Sequence, residues 1–261
     1  MCGIAGYIGN KSLKNKNIIN SLELMKNRGP DNQGWIKIQK ENLNIFLLHS
    51  RLSIIDVKER SNQPFTFGNY TIIFNGEIYN YIEIRDDLKR LGHRFSTNSD
   101  TEVLLKAYIQ YGKECVKYFN GMWAFAIWDD FKEILFLSRD RFGQKPLFYF
   151  KNKDGIYFAS EVKYIQSFIS RKLSINYNHL KRYLVYGYKF LYKTNETFFH
   201  NLCRLENATN MVISKDDHKK NKYWEPKIEQ NKNMSRRDAV DGVKYHLLDS
   251  LKLRLRSDVP L

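Results

Sequence analysis

The chain has 261 residues, 43% hydrophobic and 27% charged, with 14 Gly, 5 Pro and 3 Cys; that balance excludes a collagen-like, disordered or disulfide-built protein and leaves ample core for one large or two modest domains. The formal net charge of +15 would suit a polyanion, but Lys and Arg are spread along the whole chain, so no nucleic-acid partner is expected. No apolar run reaches the about 20 residues that cross a bilayer, and no secretory leader pattern opens the chain, which points to a cytoplasmic protein with no membrane partner.

In chain order, residues 2–8 are small and apolar and predict a buried strand. Residues 18–26 predict an amphipathic helix, with Ile18, Leu22 and Met25 on one stripe. Two more apolar runs, 43–49 and 70–74, predict strands. Residues 82–91 predict a helix closed by Gly92. Ser99-Asp100-Thr101-Glu102 has the form of a capping box, opening a helix that runs to Gly112. Four short strands follow at 123–128, 134–137, 147–150 and 156–159, and their spacing is that of an antiparallel sheet. Residues 215–222 are dense in charge and predict a loop. Ser235 opens a last helix with Val240, Val243, Leu247 and Leu251 at helical spacing, after a polar stretch marked by Pro226. Short strands with helices on both sides give a layered α+β fold.

Cys2 is the first candidate for chemistry. A small residue at position 2 usually permits removal of the initiator Met, which would leave one residue with both a thiol and a free α-amine. That amine titrates near 7.7–8.0 in reference peptides, roughly where a base for the thiol is wanted. The glycines at 3, 6 and 9 follow G-x-x-G-x-x-G and no strand precedes them, so a dinucleotide site is excluded. Asn75-Gly76 is compatible with a hairpin turn or with a donor pair, and Asp100 with a helix cap or an ion-pair partner. His49, at the end of a predicted strand, suits a structural role. Cys115 and Cys203 lack any metal-binding spacing, so no metal site is expected.

Seven motifs then occur in a fixed order: Cys2-Gly3-Ile4-Ala5-Gly6, Arg28-Gly29-Pro30-Asp31, His49 to Asp56, Asn75 to Asn80, Ser99 to Glu102, Phe119 to Phe125 and Arg139 to Leu147. Together they resemble the N-terminal glutaminase domain of glutamine-dependent asparagine synthetases, which are class II glutamine amidotransferases and N-terminal-nucleophile hydrolases. The resemblance covers residues 2–225. It implies a four-layer αββα sandwich of two antiparallel sheets between helices. It also implies hydrolysis of the glutamine side-chain amide with Cys2 as nucleophile, and with the Asn75 side chain and Gly76 backbone N–H as the oxyanion hole. Glutamine would be held by Arg51 on its α-carboxylate and Asp100 on its α-ammonium, in a pocket completed by Leu52, Ser53, Ile54, Ile55, Asn75, Gly76 and Glu77. No cofactor is implied for that half-reaction.

The sequence departs from the family in places. Asn27 stands where the family usually has His, and residues 205–208 lack the usual Pro-Gly turn. The resemblance further implies a linker at 226–234 and, at 235–261, the start of a synthetase domain. In the family, Arg256-Ser257-Asp258-Val259-Pro260 leads into a pyrophosphate loop, which these 261 residues do not include. ATP and Mg would belong only to a complete synthetase. The synthetase domain is the expected partner, missing or encoded separately, and self-association through the apolar stripe of the last helix is expected in its absence. Three other readings compete. One is a class II amidotransferase of a different pathway, the second a non-catalytic binding module, and the third a polyanion binder whose affinity falls with salt.

Overall fold

The computed structural model describes residues 1–215, 217–231 and 233–260, with the side chains at 190 and 192 excepted. Among the described residues twelve strands form two six-stranded sheets. The first contains β1 (Gly3–Gly9), β2 (Asn32–Lys40), β3 (Leu43–Arg51), β8 (Phe148–Asn152), β9 (Gly155–Ala159) and β10 (Leu202–Arg204). The second contains β4 (Phe65–Phe67), β5 (Tyr70–Ile78), β6 (Gly121–Asp129), β7 (Ile134–Arg139), β11 (Thr209–Ile213) and β12 (His218–Lys222). Their orders are β10-β8-β9-β1-β3-β2 and β12-β11-β7-β6-β5-β4, antiparallel throughout.

Alternating side chains divide each sheet between two apolar layers. Ile4, Ile8, Leu43, Ile45, Leu47 and Phe158 from the first sheet meet Ile73, Ala126, Leu137 and Met211 from the second between the sheets. The outer face of the first sheet packs under α1 (Asn15–Met25) and α4 (Val162–Ile169), with Tyr7, Phe46 and Tyr157 against Ile18, Met25, Ile165 and Phe168. The outer face of the second packs under α2 (Tyr81–Arg90) and α3 (Asp100–Tyr111), with Phe74, Phe125 and Phe136 against Leu88, Val103 and Leu104. The result is the four-layer αββα sandwich. A further helix, α5 (Tyr177–Tyr186), lies outside these layers, and α6 (Arg236–Arg254) has no buried residue.

Two local readings change. Ser99 caps α3 by accepting from Thr101 N–H, but Glu102 does not close the box: its carboxylate accepts from Ser96 and Thr97 N–H and holds the preceding turn. The charged stretch predicted as a loop contains β12, whose residues pair with β11, while Asp216 lies outside the described residues. At the last helix, Ser235 and Asp238 form a complete capping box. Among the described residues no helix is long and apolar enough to cross a membrane.

Candidate active site

Cys2 precedes β1, a central strand of the first sheet that pairs with β3 on one side and β9 on the other. Its carbonyl accepts from Arg28 Nε at 2.9 Å, and the Arg28 guanidinium is itself tied to Glu161 at 3.2 Å. The Cys2 thiol donates to Leu52 O (3.6 Å) and accepts from Leu52 N–H (3.3 Å). Burial pushes its pKa up, so the thiol is protonated at neutral pH and needs a base before it can attack.

The thiol opens into a cleft of about 240 Å³ between the sheet ends. Nine of the ten sequence-predicted positions line it: Cys2, Arg51, Leu52, Ile54 and Ile55 from the first sheet and its loop, and Asn75, Gly76, Glu77 and Asp100 from the opposite wall. Ser53 is the exception; its backbone N–H donates to Asp31 Oδ2 at 2.7 Å, tying its loop to the Arg-Gly-Pro-Asp segment.

Asn75 and Gly76 are not a turn. They lie inside β5, opposite Ala124 and Trp123 of β6. Only Gly fits at 76, because a Cβ there would overlap the Met122 carbonyl and the Phe74 ring. Asn75 is 1% exposed, and neither the nitrogen nor the oxygen of its side-chain amide has a partner. A buried amide without a protein partner costs of the order of 1–3 kcal/mol unless another molecule supplies one, and Asn75 is among the residues that line the cleft.

Arg51 ends β3, and its guanidinium organises the loop that follows. Nη1 donates to Lys58 O (3.0 Å) and Asn62 Oδ1 (2.8 Å), and Nη2 to Ile55 O (3.2 Å) and Asp56 O (2.5 Å). Asp100, the first residue of α3, accepts from Ile78 N–H at 3.0 Å. Burial, with Glu77 adding negative charge, raises its carboxyl to about 7. Burial also raises Glu77, and the nearby Lys145 ammonium pulls it back down.

His49 lies inside β3 with its Nδ1 unpartnered in the protein. It is fully buried, burial pushes its pKa down to about 3, and its Nε2–H donates across the sheets to Phe74 O at 3.0 Å.

Among the cleft residues that sequence reasoning did not assign to the site are Gln63, Met122 and Lys145. Gln63 accepts from Phe74 N–H and donates to Thr101 Oγ1, bracing the Asn75 strand against the start of α3. Lys145 belongs to the Arg139–Leu147 motif, a turn that bonds itself shut. Asp140 accepts from the N–H groups of Trp123, Phe142, Gln144 and Lys145, while the Arg139 guanidinium donates to the carbonyls of Gly143, Lys145 and Leu205. The turn delivers Lys145, only 4% exposed, to the cleft beside Met1. The motif itself was the available signal; its spacing gave no hint of where the lysine points. Among the described residues no cluster of His, Cys, Asp and Glu could hold a metal.

Residues 1–224 match the family described as the glutamine amidotransferase domain. The chain belongs to that family. Within it, asparagine synthetase [glutamine-hydrolyzing] 3 of Bacillus subtilis is 33% identical over 268 residues, covering 100% of this chain and 42% of the relative. Asparagine synthetase [glutamine-hydrolyzing] 1 of the same organism is 34% identical over 274 residues, covering 100% of this chain and 41% of the relative. The chain therefore spans less than half the length of these two relatives. Among solved structures, the glutamine phosphoribosylpyrophosphate amidotransferase of B. subtilis superposes with a TM-score of 0.63 at 17% identity, over 85% of this chain and 49% of that one. That amidotransferase shares the sandwich fold.

Proposed function

We propose that this amidotransferase domain hydrolyses the side-chain amide of glutamine, with Cys2 as an N-terminal nucleophile. The observation that carries the reading is the unpartnered amide of Asn75, buried in the same cleft as the Cys2 thiol. Once Met1 is removed, the α-amine of Cys2 takes the thiol proton as the sulfur attacks the amide carbon. The developing oxyanion receives N–H groups from Asn75 and Gly76. The amine's proton then passes to the leaving nitrogen, the C–N bond breaks, and ammonia departs from a γ-glutamyl thioester. Water, deprotonated by the same amine, releases glutamate and restores the thiol. Arg51 attracts the α-carboxylate by its charge and its Nε–H, its four Nη hydrogens being taken by the loop, Asp100 holds the α-ammonium, and Glu77 completes the pocket.

We further propose that residues 2–225 form the glutaminase unit, 226–234 a linker, and 235–261 the start of a second domain. Two observations support this: the greater length of the named relatives, and a helix α6 with no buried residue. In such a protein the ammonia would pass to a synthetase site that condenses it with aspartate, using ATP and Mg. Those ligands have no part in the steps at Cys2.

The test is glutamate and ammonia release from L-glutamine by the purified chain, with the N-terminal residue fixed by intact mass. Cys2→Ala and Cys2→Ser should fold and lose turnover, and a variant that retains Met1 should be equally inactive. Wild-type turnover with Met1 still attached would overturn the mechanism. Glutamine binding without turnover in the processed wild type would leave a binding module.

A further inference from the structure

After α6 the chain turns back onto α2 and the loop that follows β3. Residues 256–259 form an arm pinned at two points. Arg256 Nη1 donates to Tyr79 O (2.7 Å) and Glu83 Oε2 (2.6 Å), and Nη2 donates to Glu83 Oε1 (2.5 Å). Two residues on, Asp258 brackets the loop that follows β3. Its N–H donates to Ile54 O at 3.0 Å, and its Oδ2 accepts from Asp56 N–H at 2.7 Å.

The bracketed stretch is the one that holds both ends of the recognition wall together. The carbonyls of Ile55 and Asp56 accept from Arg51 Nη2. The Asp56 carboxylate, 4% exposed as a residue, accepts from Asn98 N–H at 2.7 Å, two positions before Asp100, and from Arg60 Nε at 3.1 Å. Asp56 also sits at φ 46°, a left-handed conformation that a non-glycine residue keeps only when its surroundings fix it. A continuous hydrogen-bonded path thus runs from Asp258 through the Asp56 backbone to Arg51, and through the Asp56 side chain to the turn that carries Asp100.

We infer that Asp258 is a positioning residue for glutamine recognition. By fixing the backbone at 54–56 it sets where the Arg51 guanidinium and the Asp100 carboxylate meet the α-carboxylate and α-ammonium of the substrate; the inference rests on the glutaminase reading above. Asn75 and Gly76 lie within β5, and the Cys2 thiol meets the loop at Leu52, ahead of the bracketed backbone at 54–56. Loosening the loop therefore weakens the capture of glutamine and leaves the chemical step as it is. The arm continues directly from α6, so the same contact ties glutamine affinity to whatever positions that helix.

Steady-state glutaminase kinetics on the purified full chain separate this from a general structural role. Asp258→Ala should raise KM about tenfold, the lower end of what losing one charge-assisted hydrogen bond costs, with kcat and Tm nearly unchanged. Asp258→Asn, whose side-chain oxygen can still accept from Asp56 N–H, should keep KM near wild type. An unchanged KM in Asp258→Ala would overturn the inference, and so would equal losses of kcat and Tm in both variants. If the wild type binds glutamine without turning it over, calorimetric Kd replaces KM. The glutaminase reading then fails by itself, and an equal Kd in Asp258→Ala would overturn the positioning role separately. A wild type that binds no glutamine overturns both.

Discussion

The two walls of the cleft are built by different physics. The wall with Asn75 and Gly76 is part of a sheet, with its backbone fixed by pairing to β6 and its outer face packed under α3. Its position follows from burial, which is cooperative and insensitive to any one polar contact. The wall with Arg51 and residues 52–62 is a loop held by hydrogen bonds, chiefly four from one guanidinium. A single polar substitution there can therefore move the backbone. The proposed oxyanion hole sits on the packed wall, while the Cys2 thiol, bonded to Leu52, and the Arg51 anchor sit on the bonded one. Packed geometry thus serves the oxyanion donors, while the hydrogen-bonded loop serves capture of the substrate.

The sharpest way to break this comparison is Asn75→Ala. It should cost about 10²–10³ in kcat with little change in KM or Tm, since the amide has no partner within the protein to lose. A large Tm loss would mean that Asn75 is a structural residue of the sheet. Gly76→Ala is the contrasting change on the same wall: its Cβ would meet backbone, so we expect a lower Tm as well as lost activity.

On the bonded wall, Arg51→Lys keeps the charge and loses the fork. KM for glutamine should rise about tenfold or more, and Tm should fall because a lysine cannot replace four bonds to the loop. A raised KM with an unchanged Tm would show that the loop is held by something other than the guanidinium.

A third effect is pH dependence. The Asp100 carboxyl is raised to about 7, so it is protonated below that pH and ionised above it. An ammonium needs the ionised form. Glutamine affinity, measured as Kd in Cys2→Ala to remove the nucleophile, should therefore weaken as pH falls through about 7 and level off above it. Asp100→Asn should bind more weakly and lose this dependence. A Kd that is flat through this range in Cys2→Ala would remove Asp100 from ammonium recognition.

The smallest effect on activity belongs to α6, which lies on neither wall. Val240, Val243, Leu247 and Leu251 are between 48% and 69% exposed. The chain should self-associate with rising concentration in sedimentation velocity, and Leu247→Glu with Leu251→Glu should suppress this with kcat/KM unchanged. A chain that stays monomeric at high concentration would show that the stripe is not adhesive by itself.

Much of this protein is determined by its sequence alone. The central strands β1, β3, β5, β6, β7 and β9 are apolar runs whose burial allows no other placement, and they were legible. The edge strand β2 was not: along Asn32–Lys40 exposure alternates from residue to residue but residue type does not, so the run reads equally as a surface segment. β12 was hidden by its four charged or polar surface residues after His218 and becomes a strand only through β11. At the site, motif order singled out Cys2, Arg51, Asn75, Gly76 and Asp100, since each is a residue type that amide chemistry or amino-acid recognition requires. The tertiary structure decided what those types do with their neighbours. It placed Asn75 and Gly76 in a strand instead of a turn, left the Asn75 amide unpaired, and tied the Ser53 backbone to Asp31 outside the cleft lining. It brought Lys145 to Met1 from 144 positions along the chain, and laid Asp258 beside Asp56, 202 positions away. Contacts across such separations depend on how two sheets stack and where the chain returns, and no local pattern of residues encodes that.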